Sequence, residues 1–181
     1  MNRGTKIAAV SAALLLTLAA GGAATADTDW AGRGPREAAA LTGTAKLYRP
    51  AGDDITFSFD VHLAAKDNMD PEAATGTFRF SHYKGDRGGH AVAKVDCLVT
   101  GGKVAVVTGV VTETDVDAFR GKRVGISVHD LGKHDRLGYS WIGEDTEAKL
   151  PKCMGSAPFE KVKAGTGDFQ VLPWQPDYPT E

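Results

Sequence analysis

The chain has 181 residues, of which 42% are hydrophobic and 24% are charged, and its formal net charge at pH 7 is −2. This mildly acidic balance, with no block of like charge, argues against a nucleic-acid-binding protein, because such proteins carry a basic stripe. The length that follows residue 26 is that of one domain with a single core.

Residues 1–26 have the pattern of a secretory signal peptide. Arg3 and Lys6 supply positive charge, residues 7–20 form an apolar run, and a small-x-small sequence ends at Ala26. The run is too short to span a membrane comfortably, which favours a cleaved signal over an anchor. The sequence therefore predicts cleavage after Ala26, a secreted extracellular protein, and no membrane span in the mature chain.

Cys97 and Cys153 are the only cysteines. Both follow the predicted cleavage site, and in an oxidising compartment two cysteines most simply form one disulfide. A reactive thiol or metal pair is the alternative, but neither cysteine has Cys or His neighbours at zinc-ligand spacing. Alternation places Cys97 on the apolar face of its strand. The bond should therefore hold residues 143–158 as a lid across the core or over a barrel end.

The mature chain has the patterning of β-strands. Residues 55–63 alternate apolar and polar side chains, which is typical of a half-buried strand. Further strand segments occur at 76–82, 93–99, 124–128, 137–142 and 169–171, and the segment 104–111 is apolar on both faces, which predicts one of the most buried strands. About eight short strands without a helix predict an all-β antiparallel meander that forms a closed or nearly closed barrel. A two-sheet sandwich is the alternative.

The strand pattern also predicts the domain organisation. Residues 27–42 contain glycine, proline and charges before an alanine run, which predicts a flexible N-terminal arm with room for one helical turn. Residues 43–172 form the barrel-like domain, and residues 173–181 form a polar tail. Trp174, which lies between two prolines, is expected to cap an end of the domain or to contact a partner.

Five segments in this order carry a resemblance to a known group: GTFRFSH at 76–82, VDCL at 95–98, TGVVT at 108–112, VGISVHD at 124–130 and DRLGYSW at 135–141. The chain resembles small exported actinobacterial β proteins, some of which are labelled repetin-like or hypothetical secreted proteins. The resemblance implies export and the fold. It implies no activity, cofactor or site residue.

Two His-Asp pairs bracket a tight turn and are candidate metal ligands: His129, Asp130, His134 and Asp135. Neighbouring residues on a strand point to opposite faces, so His129 and Asp130 cannot both chelate there. The alternative is that the aspartates build the turn by accepting backbone hydrogen bonds, with the imidazoles in solvent. The sequence favours this alternative and predicts no metal and no other cofactor.

His82, His90 and Trp141 are the candidate residues of a binding mouth. The two histidines flank a glycine-rich loop, where they could face each other across a hairpin and bind a transition metal or titrate together. Trp141 alternates with Tyr139 and is expected to line the core or the mouth.

Ser58, Asp60 and His62 share one face of a strand, as do Ser127 and His129. A hydrolase needs its nucleophile beside a base in a pocket, and the G-x-S-x-G elbow is absent from the sequence. The sequence therefore predicts a monomeric, non-enzymatic module that binds an unknown extracellular ligand, polymer or protein. The alternative is a small secreted hydrolase with dispersed active-site residues.

Overall fold

The computed structural model describes residues 37–140, 150–155 and 159–175. Within these ranges the chain forms β-strands and no α-helix, which confirms the all-β prediction. The strands are β1 (Glu37–Lys46), β2 (Asp54–Ala64), β3 (Thr75–Lys84), β4 (Arg87–Gly101), β5 (Val104–Thr114), β6 (Arg123–His129), β7 (Arg136–Tyr139), β8 (Glu160–Lys161) and β9 (Asp168–Leu172).

The strands form a single antiparallel sheet in the order β8-β7-β6-β5-β4-β3-β2-β1-β9. The sheet curls so that its β8 edge reaches the end of β1. Leu47, just after β1, bridges Val162, just after β8, and the Tyr48 N–H donates to the Lys161 carbonyl at 2.8 Å. The predicted nearly closed meander is therefore confirmed, and the two-sheet alternative is wrong.

The core fills the concave face of the sheet. In β2 the apolar residues predicted to be buried are buried: Ile55, Phe57, Phe59, Val61 and Leu63. The polar residues between them face the opposite side, which we call the outer face. The period-two pattern therefore predicted both the strand and its orientation.

The predicted N-terminal arm is wrong for its described part, because residues 37–42 form the first half of β1. Strand β1 lies between β2 and β9, and Ala39 and Leu41 are buried in the core. An alanine run has weak strand propensity, so pairing on both sides rather than local preference determines this strand.

The predicted orientation of Cys97 is also wrong. Strand β4 has a register shift between Val95 and Cys97 where it pairs with β5. A bulge inserts one unpaired residue and reverses the alternation beyond it. Val95 and Leu98 therefore both belong to the core cluster, whereas Cys97 lies on the outer face.

The Cys97–Cys153 disulfide is confirmed, with the two Cα atoms 5.3 Å apart. Residues 150–155, which we call the outer segment, lie on the outer face of β5 and β6. The Cys153 N–H donates to Thr108 Oγ1 at 3.2 Å, and Arg123 Nη1 donates to the Leu150 carbonyl at 3.0 Å. The lid predicted across the core or over a barrel end is thus wrong for these residues. Residues 141–149 and 156–158 lie outside the described ranges.

Trp174 closes one end of the barrel and is not part of a solvated tail. Its backbone N–H donates to Thr100 Oγ1 at 2.7 Å, and its indole N–H donates to the Asn68 carbonyl at 2.8 Å. The ring packs against the core cluster. Among the described residues, no helix has the length and hydropathy needed to cross a bilayer.

Candidate functional site

A cavity of about 350 Å³ opens at the end of the barrel opposite Trp174. It lies between the β3–β4 hairpin and residues 115–122, the connection from β5 to β6, which we call the cavity loop. The residues around it are Ile55, Phe57, Phe80, Ser81, His82, Lys84, Arg87, Gly88, Gly89, His90, Val116, Phe119, Val124, Tyr139 and Ser140.

Aromatic rings form the floor of the cavity. Phe57 stands at the centre, with its ring centroid 6.1 Å from that of Phe80 and 5.4 Å from that of Tyr139. Arg49 Nη2 donates to the Tyr139 hydroxyl at 2.6 Å, and Arg49 Nη1 lies 2.7 Å from Glu160 Oε2. Burial raises the pKa of Tyr139, and the nearby Glu160 carboxylate adds to the rise. The phenol therefore stays neutral, and the floor carries no charge of its own.

The cavity loop forms one wall, and a glycine allows it to pack closely. A Cβ atom at Gly89 would lie 2.6 Å from Val116 Cγ2 and 2.8 Å from Asp115 Oδ1. Thr114 Oγ1 donates to the His90 carbonyl at 2.8 Å and accepts the Val116 N–H at 3.0 Å. These contacts fix the loop against β4, so the wall is preformed.

Basic side chains stand on the rim. Lys84 and Arg87 are paired across the end of the β3–β4 hairpin, and both are exposed. Asp53 lies beside them, with Oδ2 at 3.1 Å from His82 Nε2 and Oδ1 at 3.6 Å from Lys84 Nζ. The hydrogen bond from His82 lowers the pKa of Asp53, and the Lys84 charge lowers it further. Asp53 is therefore ionised and faces two rim side chains.

His90 is held by Asp115 rather than by His82. Asp115 Oδ1 accepts the His90 backbone N–H at 2.7 Å, and Asp115 Oδ2 lies 2.9 Å from His90 Nδ1. The backbone N–H of His90 lowers the pKa of Asp115, and the imidazole contact acts in the same direction. Asp115 and His90 therefore form a pair that fastens the cavity loop to β4.

The two predicted mouth histidines both lie around the cavity, but they do not face each other. The β3–β4 register pairs His82 with Gly89 and His90 with Ser81, so the two imidazoles point to opposite faces of the hairpin. Each imidazole contacts a different aspartate, so this geometry does not bring the two rings together at one metal ion. Trp141 lies outside the described residues.

The four predicted metal candidates are dispersed around the β6–β7 turn. Asp130 Oδ1 accepts the Gly132 N–H at 3.2 Å, and Asp135 Oδ1 accepts the Leu131 N–H at 2.7 Å. His129 and His134 are partly or fully exposed. Within the described ranges, no three His, Cys, Asp or Glu side chains come close enough to hold a metal ion. The aspartates build the turn, as the alternative interpretation expects.

The row of candidate catalytic residues on β2 does not form a triad. His62 lies between two carboxylates, with Nε2 at 2.9 Å from Asp60 Oδ1 and Nδ1 at 2.8 Å from Glu37 Oε1. The Asp60 contact raises the pKa of His62, and Glu37 raises it further. Ser58 is hydrogen-bonded to Thr44 at 2.7 Å. Each ring nitrogen of His62 faces a carboxylate, so neither is directed at this serine to take its proton.

The other candidate pair, Ser127 and His129, does not lie in a pocket. Ser127 is on the outer face and is buried beneath the outer segment, where a Cβ atom at Gly155 would lie 2.0 Å from its Oγ.

Sequence reasoning missed most of the cavity. Val116 and Phe119 lie in a loop that the pattern marks as polar, and Arg87 lies at a hairpin end. The signal that could have indicated them is the presence of a valine and a phenylalanine among the charged residues of 113–123. Their position beside the cavity depends on the β4–β5 pairing, which one sequence does not reveal.

Comparisons with known proteins identify no relative: no family model, no curated protein and no solved structure matches this chain. The resemblance to small secreted actinobacterial β proteins therefore stays a prediction, and the cavity carries the functional argument.

Proposed function

We propose that this protein is an exported, monomeric and non-enzymatic module that binds one small apolar ligand in the cavity beside the cavity loop. The observation that carries the proposal is a preformed space of about 350 Å³ with four aromatic rings around it, those of Phe57, Phe80, Phe119 and Tyr139. Natural small-molecule sites span roughly 300–1,000 Å³ and are mostly apolar. The disulfide agrees with an oxidising compartment.

The polar groups deep in the cavity already have partners, which favours an apolar occupant. The Tyr139 hydroxyl is bonded to Arg49, and Ser140 Oγ accepts the Gly125 N–H at 3.0 Å. Water in such a space finds few free donors or acceptors, so its displacement by an apolar group favours binding. Each buried Å² of apolar surface then contributes about 25 cal/mol.

Fluorescence titration with N-phenyl-1-naphthylamine, an uncharged aromatic dye, tests the proposal. We expect saturable binding of one dye per protein with a blue-shifted emission. Val116→Trp should abolish binding because the indole fills the cavity, and Leu131→Trp should not, because Leu131 is 46% exposed in the β6–β7 turn. Absence of saturable binding, or equal binding by both variants, contradicts the proposal.

The alternative, a small secreted hydrolase, is favoured by one arrangement around the cavity. Ser81 lies directly opposite His90 on the neighbouring strand, and Asp115 holds His90 Nδ1 at 2.9 Å. Cross-strand partners place their Cβ atoms about 5 Å apart, which is within reach of a serine-histidine contact. A fluorophosphonate probe that labels the protein at Ser81, and not Ser81→Ala, would establish this second function. The non-enzymatic proposal expects no labelling.

A further inference from the structure

We infer that the ligand of this cavity is a monoanionic amphiphile: an apolar ring system or short chain that carries a single carboxylate or sulfonate-like headgroup. The inference rests on the proposed function and specifies the chemistry of its ligand. The apolar part contacts the aromatic floor, and the headgroup lies at the rim beside Lys84 and Arg87.

The rim carries two basic side chains, one of which has no ion-pair partner among the described residues. Lys84 and Arg87 are adjacent across the hairpin, and they border the cavity on the side of Phe80 and His82. Among the ion pairs formed by the described residues, none involves Arg87, and Lys84 has only Asp53 at 3.6 Å. A guanidinium beside an ammonium is a favourable site for a small anion.

Three acidic groups lie near the rim: Asp53, Asp115 and Asp86, which stands in the hairpin turn between Lys84 and Arg87. Asp86 is exposed and forms none of the ion pairs found within the described ranges. Asp53 is shared between His82 and Lys84, and its side chain is 20% exposed. Asp115 is directed at His90 through both oxygens. Asp53 and Asp115 each contact a histidine, and none of the ion pairs of the described residues occupies Arg87, which is therefore placed to contact an incoming anion.

The size of the cavity limits the apolar part. Its volume of about 350 Å³ lies at the small end of the range of natural small-molecule sites, roughly 300–1,000 Å³. One fused ring system or a short acyl chain fits this space, whereas a polymer or a folded protein segment would leave most of its bulk outside. The site therefore favours a free small molecule over the polymer or protein partners that the sequence alone leaves open.

Two dyes with the same hydrocarbon skeleton test the inference. N-phenyl-1-naphthylamine is neutral, and 8-anilinonaphthalene-1-sulfonate carries one sulfonate on that skeleton. The quantity to measure is the ratio of their dissociation constants for the wild-type protein and for the double variant Lys84→Gln/Arg87→Gln. The control is Lys66→Gln/Lys133→Gln, which removes the same charge from exposed loops at the opposite end of the barrel.

We expect the Lys84→Gln/Arg87→Gln variant to weaken sulfonate binding relative to neutral binding by about fivefold, because two partly solvated ion pairs are lost. The neutral dye should bind as it does to the wild type, and the control should leave the ratio unchanged. Added salt should likewise weaken binding of the sulfonate dye to the wild-type protein relative to binding of the neutral dye.

Two results would overturn the inference, and they are distinguishable. If the neutral dye binds but the ratio is the same in all three proteins, the cavity binds apolar ligands without recognising an anion, and the proposed function survives alone. If neither dye binds, or if Val116→Trp leaves neutral binding intact, the proposed function fails and the inference fails with it.

Discussion

The side chain of Asp135 accepts a backbone hydrogen bond that a neighbouring strand would otherwise accept: its Oδ2 lies 2.7 Å from the Phe169 nitrogen in the barrel interior. Two residues along β9, the Val171 N–H donates to Asp130 Oδ2 at 3.1 Å. Strand β9 pairs with β1 on one side only. The two aspartates of the β6–β7 turn therefore satisfy donors on its other edge and help to close the barrel.

Asp135→Asn should destabilise the protein. Asp135 is 1% exposed and accepts from both Leu131 and Phe169. An amide can accept only one of these N–H groups through its oxygen and turns its NH₂ toward the other. A buried donor left unpaired costs about 1–3 kcal/mol. Urea unfolding at neutral pH should show this loss, whereas Asp86→Asn at the exposed β3–β4 hairpin should leave the free energy of unfolding unchanged. Equal stability of the two variants would contradict the role of Asp135.

The same two aspartates should give stability contributions of opposite pH dependence. Burial raises the pKa of Asp135 above its ordinary value of 3.8, and the adjacent Asp168 adds to the rise against the two backbone donors. Burial also acts to raise the pKa of Asp130, but the Lys103 ammonium and the Val171 and Gly132 N–H groups outweigh it, and the net shift is downward.

A raised folded-state pKa means that the Asp135 contribution is fully present below the unfolded value of 3.8 and is lost as the pH rises through the folded pKa. A lowered folded-state pKa means that the contribution of Asp130 to stability is present above pH 3.8 and is lost as the pH falls through the folded-state pKa. The free energy of unfolding should be measured between about pH 7 and pH 3 for the wild type and both variants. On acidification, the difference between the wild type and Asp130→Asn should shrink. The difference between the wild type and Asp135→Asn should grow. Parallel curves would refute the assignment.

Removal of the disulfide should lower stability without abolishing binding. Cys97→Ala/Cys153→Ala opens a loop with a sequence separation of 56, which costs about 4 kcal/mol in the chain-entropy model. The bond secures the outer segment, which lies on the face of the sheet opposite the cavity. The midpoint temperature of thermal unfolding should fall, while the neutral dye should still bind to the folded variant. Loss of binding with near-UV dichroism intact would show that the outer segment shapes the cavity.

Gly125→Ala should displace the outer segment. A Cβ atom at Gly125 would lie 2.1 Å from the Met154 carbonyl oxygen, closer than any real contact. Overpacking of this kind costs about 1–3 kcal/mol. Gly101→Ala is the matched control, because nothing lies within 4 Å of its added Cβ.

The cost of Gly125→Ala should also depend on the disulfide. In the Cys97→Ala/Cys153→Ala background the outer segment is free to move away, so the penalty should fall well below its wild-type value. A double-mutant cycle by chemical denaturation measures this coupling, and strict additivity would contradict the packing described here.

The strands that could be predicted are those whose alternation is uninterrupted. Residues 55–63 show an unbroken pattern, and the structure buries the side that the pattern indicates. At Cys97 the same reasoning fails because one bulged residue at Asp96 reverses the faces. A bulge leaves no mark in the hydrophobic pattern, so the position of the disulfide could not be derived.

The candidate site was predicted only at its rim. His82 and His90 were identified because histidines beside a glycine-rich hairpin are chemically conspicuous. Phe119 and Val116 are ordinary apolar residues in a polar connection, and they become walls only because Gly89 lets the cavity loop approach β4. That approach depends on residues 26 or more positions apart, and no local pattern encodes it.

The position of β1 between β2 and β9 has a consequence for how the chain folds. The β1–β9 pairing joins Thr44 to Asp168, so the first strand acquires its second neighbour only from residues far along the chain. Contacts of such sequence separation form slowly. Until β9 arrives, β1 presents an open edge that includes Ala40 and Leu41, the kind of edge that pairs with other chains. A partly synthesised chain that still lacks β9 is thus more prone to aggregate than one in which β9 has paired with β1.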